Sequence, residues 1–321
     1  MSSAKASNVS SLTAPIDNIV RSALLGAADN RVLRRFMYRH GMSLGARRFV
    51  AGETLDEFLA VVRVVNERGF TVACGMLGEG VQDRNDAAAV VHDYRHILTC
   101  FASEGLRSNI ALKLTHLGLV IDRDLALQNL TAIVQHARSF NNFVRIDMEQ
   151  SAYTEVTLSI YRQLRAAELT NVGAVVQAYL HRSEDDLRSL FPLEPNVRLV
   201  KGAYLEAPAI ALTKKADVDR NYMRLIEISL RESAFTAIAT HDHVIIENSI
   251  EFIKQHGISD DRYEFQMLYG VRPKLQGELL ARGYKVRLAI PFGEQWYPYL
   301  MRRLAERPAN LFFFLGTLWR K

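Results

Sequence analysis

Apolar and polar positions along this chain settle into a rhythm after residue 48: an amphipathic helical stretch, a Gly or Asn stop, then a short apolar run rich in β-branched residues. The runs cover residues 70–76, 109–114, 143–148, 172–178, 197–200, 235–240, 262–267 and 286–291. Their starts lie about 25 to 40 residues apart, the spacing of repeated β/α units, and near-continuous apolarity suits parallel strands covered on both faces. Eight units in about 250 residues predict an α/β fold closed into a (βα)8 TIM-like barrel. An open doubly wound sheet is the alternative, but no G-x-G-x-x-G turn follows the first run, so a Rossmann dinucleotide site has no support.

Ahead of the rhythm, residues 16–48 read as one or two short helices carrying Ile19, Val20, Leu24, Leu25, Val32, Leu33, Phe36 and Met37, with Gly41 and Gly45 as punctuation. The expected organisation is a tail and helical leader over 1–48, then one catalytic barrel domain over 49–321, since no Pro/Gly/Ser-rich linker divides the latter. The Ser- and Ala-rich opening, residues 1–14, lacks the pattern of a signal or transit peptide and reads as a flexible tail.

Composition changes this picture little. The chain is 49% hydrophobic and 23% charged, ordinary for a globular protein, and its formal charge of +5 is spread among acids, which argues against nucleic acid as a partner. Cys74 and Cys100 stand in apolar stretches without metal-like or redox-like spacing, as expected of buried thiols in a reducing, cytoplasmic setting. No segment reaches the roughly 20 apolar residues a spanning helix needs. A terminal apolar run, residues 311–315, followed by Leu318, Trp319, Arg320 and Lys321, suits either docking on the protein's own core or peripheral contact with a membrane surface.

Function in a barrel gathers where strands end, and polar residues recur there. Lys113, Asp147, Glu149, Gln177, Lys201, Thr240 and His241 end or follow runs, while Arg198, Glu264 and Gln266 lie within them. Each alone could be a solvated or locally satisfied polar group; their common location points to a site. After the eighth run, Tyr299, Arg302, Arg303 and Glu306 fall at i, i+3, i+4 and i+7 and share one helix face. Adjacent guanidinium forks suit a carboxylate, with Glu306 pairing Arg302, although a solvated face with a surface ion pair has the same spacing. His241 and His243 flank Asp242 without a third ligand nearby, so no metal site is expected.

The run Arg198-Leu199-Val200-Lys201-Gly202-Ala203-Tyr204 resembles the strand-five signature of the proline dehydrogenase family, and Tyr299-x-x-Arg302-Arg303-x-x-Glu306 resembles its final-helix signature. Further matches are Lys113-Leu114-Thr115-x-x-Gly118, Asp147-Met148-Glu149, Gln177-Ala178-Tyr179, Ala239-Thr240-His241 and Glu264-Phe265-Gln266-Met267-Leu268-Tyr269-Gly270, in the family's order over about residues 77–310. The resemblance, to the monofunctional bacterial type, implies an FAD-dependent oxidoreductase that moves a hydride from ring C5 of L-proline to flavin N5, with a quinone or other acceptor taking the electrons. It implies that Met148, Gln177, Arg198, Lys201, Gly202, Ala203, Thr240 and His241 line the FAD site, with Asp147 and Arg198 the catalytic polar pair. Lys113, Arg302 and Arg303 would hold the substrate carboxylate, with Tyr204, Tyr299 and Ala289 beside the substrate. Gly202 also carries a direct reading, since a missing Cβ permits close backbone approach to a cofactor.

Two positions depart from the family pattern. Ala289 stands where a Tyr usually lies against the substrate ring, which opens space for a substituted proline such as trans-4-hydroxy-L-proline unless Trp296 or Phe292 refills it. Leu205 replaces a Trp that many bacterial relatives carry after Tyr204. Readings of another class are a flavin-free lyase or aldolase using Lys113 or Lys201 as a Schiff-base nucleophile, and a carboxylate-binding module without turnover.

Overall fold

The computed structural model describes residues 31–43, 45–78 and 81–306; the side chains of residues 31–33, 36, 302 and 304–306 lie outside that description. The eight apolar runs become eight strands: β1 Thr71–Met76, β2 Ser108–Leu112, β3 Val144–Ile146, β4 Val172–Gln177, β5 Asn196–Val200, β6 Phe235–Ala239, β7 Tyr263–Leu268 and β8 Val286–Phe292. All pairings are parallel, and β8 returns to β1 to close the barrel.

The register separates the two faces. Partners across a parallel pair point the same way, so the pairings Arg287 with Thr71, Ala73 with Asn109, Ala111 with Arg145 and Arg145 with Gly173 identify one face, which continues through Val175 with Arg198, Ala237 with Glu264 and Gln266 with Arg287. That face is inward, because the residues between them, among them Val72, Cys74, Ile110, Val144, Ile146, Leu199, Phe265 and Leu288, belong to the large apolar core shared with the helices. The strands therefore alternate: large apolar residues face the helices, while the barrel interior holds small and polar ones. Near-continuous apolarity along each run concealed this alternation, because Gly, Ala and Val fill many inward positions.

Ten helices are described: α1 Arg31–His40, α2 Leu55–Glu67, α3 Arg84–Ser103, α4 Arg123–Arg138, α5 Thr154–Ala166, α6 Ser183–Leu190, α7 Lys215–Glu232, α8 His243–Gln255, α9 Pro273–Ala281 and α10 Trp296–Glu306. Local chemistry starts several of them. Thr54 and Glu57 form a capping box on α2, while Asp83, Asp122 and Asp242 accept backbone N–H bonds at the starts of α3, α4 and α8. Of the leader predicted over 16–48, the described part contains α1 and a short 3-10 turn at Ala46–Arg48; the tail and the terminal apolar run lie outside the described residues.

Helix α2 packs against the outside of the barrel seam. Its Phe58 ring stacks on Phe292 at 4.6 Å, and Ala51 N–H, just before it, donates to Pro291 O at 2.9 Å. Helix α10 belongs to a second, smaller core with Met37, Phe49, Val50 and Val271, against which Leu77 and Leu268 also pack. Leu77 follows β1 and Leu268 ends β7, so α10 lies toward the end of the barrel where the strands finish.

Candidate active site

Three guanidiniums sit in the barrel interior: Arg145 from β3, Arg198 from β5 and Arg287 from β8. Buried cations need partners. Arg145 Nη1 donates to Ala174 O at 2.9 Å and Asn196 O at 2.7 Å, and Nη2 to Asn196 Oδ1. Gly173 leaves the space for it, since a Cβ there would meet Arg145 Nη1 and lie 2.5 Å from Asn196 O. Arg287 forks onto Glu264, Nε to Oε1 at 2.7 Å and Nη2 to Oε2 at 3.1 Å, and its Nη1 reaches Val72 O at 2.9 Å.

Arg198 forms an ion pair through Nη2 with Asp147, the residue after β3, and its Nη1 donates to Gln266 Oε1 at 3.5 Å. Burial pulls the Arg198 guanidinium down to about 10, with Glu264 opposing the shift and Arg287 adding to it; burial takes Arg145 to about 9, and Arg198 pushes it the same way. Both stay cationic at neutral pH. Three guanidiniums against the carboxylates of Asp147 and Glu264 leave the interior net positive.

The strand ends add polar groups around this centre. Gln177 closes β4, donates through Nε2 to Met148 O at 3.5 Å and keeps a buried Oε1 without a protein partner; Met148 is itself buried. Arg198 Nε is likewise buried and unpartnered. Lys201, directly after β5, lies between Asp219 of α7 at 2.5 Å and Asp242 at 3.1 Å. Thr240 is buried and accepts the Asp242 N–H at 3.1 Å. His241 Nε2 accepts the Leu268 N–H at 2.8 Å, which assigns the ring proton of the neutral form to Nδ1. Lys113 follows β2, half-buried, and the turn beyond it is held by Glu149, which accepts Thr115 N–H at 3.1 Å and Thr115 Oγ1–H at 2.6 Å.

Some expectations change. Gly202 adopts a left-handed φ of 107°, and a Cβ there would collide with the Tyr179 ring, so the close approach of this side chain by itself requires glycine. Ala203 is exposed, Tyr204 half-buried, and Leu205 is 79% exposed. Cys74 is buried and burial pushes its thiol up, whereas Cys100 is only half-buried. Ala289 faces the interior, paired with Ala73 and Leu268. Of the two proposed fillers, Phe292 stacks outward on Phe58, and Trp296 donates to Glu53 Oε1 at 2.7 Å and stands edge-on to Tyr38. On α10 the Arg303 guanidinium lies 5.4 Å from the Tyr299 ring centroid; the side chains of Arg302 and Glu306 lie outside the described residues, so their pairing does too.

The family described as Proline dehydrogenase matches residues 58–314. This chain belongs to the proline dehydrogenase family. Proline dehydrogenase 1 of Bacillus subtilis (strain 168) is 40% identical over 303 residues, 94% of this chain and 100% of its own length. Proline dehydrogenase of Deinococcus radiodurans is 37% identical over 302 residues, 93% of this chain and 97% of its own. Among solved structures, proline utilization A from Bdellovibrio bacteriovorus inactivated by N-propargylglycine matches with a TM-score of 0.77 at 23% identity, over 93% of this chain and 39% of that longer chain, a likeness of fold. Proline dehydrogenases are in general flavin-dependent oxidoreductases of CH–NH groups.

For a proline dehydrogenase chain, the residues that sequence reasoning passed over are Arg145, Arg287 and Asn109. A signal for the first two was present: Val144-Arg145-Ile146, Val197-Arg198-Leu199 and Val286-Arg287-Leu288 repeat one pattern in three strands, a cation between two outward apolar residues. Among the described residues no group of three or more His, Cys, Asp and Glu could hold a metal ion, and no helix is long and apolar enough to cross a membrane.

Proposed function

We propose that this chain oxidises L-proline to 1-pyrroline-5-carboxylate with FAD as resident cofactor, passing electrons to a quinone or another acceptor. The observation that carries the reading is the net-positive barrel interior centred on the Arg198–Asp147 pair, in a chain of this family. The donor set fits the cofactor. Arg198 Nε–H and Gln177 Oε1 are a buried donor and acceptor without protein partners, and a flavin ring edge offers both complements. Arg198, Gln177, Met148, Thr240 and His241 would hold the ring system, and Lys201, Gly202 and Ala203 the remainder of FAD. When bound, FAD supplies the two-electron acceptor for the hydride leaving proline C5.

The chain's own residues bind and orient. Lys113, Arg302 and Arg303 grip the substrate carboxylate, which fixes the ring and its reacting C–H without an aggressive base. Tyr299 and Tyr204 line the substrate space. Asp147 holds Arg198, whose charge favours negative charge developing beside it. The lyase reading rests on Lys113, because the Lys201 Nζ is already engaged by the carboxylates of Asp219 and Asp242.

The test is dye reduction by flavin-loaded enzyme with L-proline, with Arg302→Met and Arg303→Met alongside. Each substitution is expected to raise KM for proline at least tenfold, about 1.4 kcal/mol, while flavin content stays at the parent level. Equal KM values would remove the clamp; no proline-dependent reduction by the parent would remove the reading. A second reading, a substituted proline such as trans-4-hydroxy-L-proline, draws support from Ala289, since Phe292 and Trp296 are engaged elsewhere. Ala289→Tyr tests it: an unchanged preference between the two substrates discards Ala289 as the selector.

A further inference from the structure

Glu264 and Gln266 occupy two successive inward positions of β7, and their side chains bond to Arg287, to Arg198 and to each other. Both are about 95% buried. Burial of a carboxylate at this depth is costly without pairing, and Arg287 supplies it with a two-pronged contact at 2.7 and 3.1 Å. Arg287 is anchored in turn by Val72 O and, at 3.4 Å, by Asn109 Oδ1. The carboxylate has one further contact: Gln266 Nε2 donates to Glu264 Oε1 at 2.6 Å.

That contact decides which way the Gln266 amide points. With its NH2 bound to a carboxylate, the amide must turn its oxygen toward Arg198, where Oε1 receives Nη1 at 3.5 Å. A flipped amide would set N–H against N–H at Arg198 and oxygen against carboxylate at Glu264, two repulsive contacts in place of two attractive ones. The guanidinium is thus held on Nη2 by the Asp147 ion pair and contacted on Nη1 by the longer Gln266 bond, so both ends of its fork meet an oxygen.

We infer that Glu264 and Gln266 are positioning residues for the dehydrogenase reaction: the Arg287-paired Glu264 carboxylate locks the Gln266 amide, and the amide with Asp147 locks the Arg198 guanidinium in one orientation. The inference rests on the proposed role of Arg198 beside the flavin. It assigns a task to the Glu264-Phe265-Gln266 motif that substrate binding alone does not give it.

Gln266→Met keeps volume and neutrality while removing the relay, and Glu264→Asp keeps the charge while withdrawing it by one methylene. Flavin-loaded variants are compared by kcat and KM for L-proline and by the flavin midpoint potential. Gln266→Met is expected to lower kcat by about tenfold or more with little change in KM, and to move the potential negative, because a loosened cation stabilises the reduced anion less. Glu264→Asp is expected to lower kcat and potential in the parent background but to add nothing in the Gln266→Met background, since it acts through that amide. Parent-like kcat and potential in Gln266→Met, or an equal effect of Glu264→Asp in both backgrounds, overturns the inference. If Gln266→Met does not fold, the Glu264→Asp potential alone decides, a parent-like value overturning it. A parent enzyme that fails to reduce dye with proline instead defeats the proposed function and leaves a different signature.

Discussion

At Arg198 the interior's charges converge, and removing one partner shows what the pairing holds. Asp147→Ala leaves a buried guanidinium with Gln266 as its remaining protein acceptor. Unfolding free energy is expected to fall by about 3 kcal/mol, the lower end for a broken buried pair, because Asp147 keeps part of its surface in solvent. Urea unfolding measures this, and an unchanged midpoint would mean the pair is not closed in solution. Gly173 answers a different constraint. Any Cβ would press on Arg145, on Phe143 and on the carbonyl of Asn196, and a backbone oxygen has little freedom to retreat. Gly173→Ala should therefore cost about 1–3 kcal/mol by overpacking, read as a lowered thermal midpoint.

Among the elements, α10 carries the sharpest structure–function link. It is fixed by Trp296, fully buried, whose Nε1 reaches Glu53 and whose ring meets Tyr38 of α1. The leader helix thus supports the helix that bears Tyr299, Arg302 and Arg303. Trp296→Ala is expected to cost about 3–5 kcal/mol and to raise KM for proline while flavin content is largely kept, because the clamp loses its footing before the strands do. A matched control lies on α2. Thr54→Ala removes one side of its capping box and should lose about 1 kcal/mol with KM unchanged. A KM rise in the control as large as that in Trp296→Ala would show that general destabilisation, not α10, sets substrate affinity.

For the molecule as a whole, acid stability follows from carboxylates held below their ordinary range. Backbone N–H of Glu53 and then Arg47 lower Glu57; Arg182 lowers Glu155 and Arg282 lowers Glu247. At Asp219 and Asp242 burial is the largest single influence and raises the value, but the Lys201 and Lys215 ammoniums together with hydrogen bonds bring it below the ordinary range. A group whose folded value is depressed binds protons more weakly than in the unfolded chain, so its contribution is full above the unfolded value near 4 and is lost as pH falls through the folded value. The thermal midpoint should stay level down to about pH 5 and drop below about pH 4. Asp242→Asn keeps a good cap for α8 but loses the charge, and should make that drop shallower; an identical profile would place the loss elsewhere.

The chain determined by itself where strands form, which residues end them and which family signature they compose, because β-branched runs, caps and strand-end motifs are local properties. It could not determine that Arg145 and Arg287 face the same interior as Arg198, that Gln266 is oriented by Glu264, that the Tyr179 ring packs against Gly202, or that Phe58 of α2 stacks on Phe292 of β8. Those outcomes depend on closure. The register of eight parallel pairings decides which inward side chains from distant strands meet, and a one-residue slip would turn each of them outward.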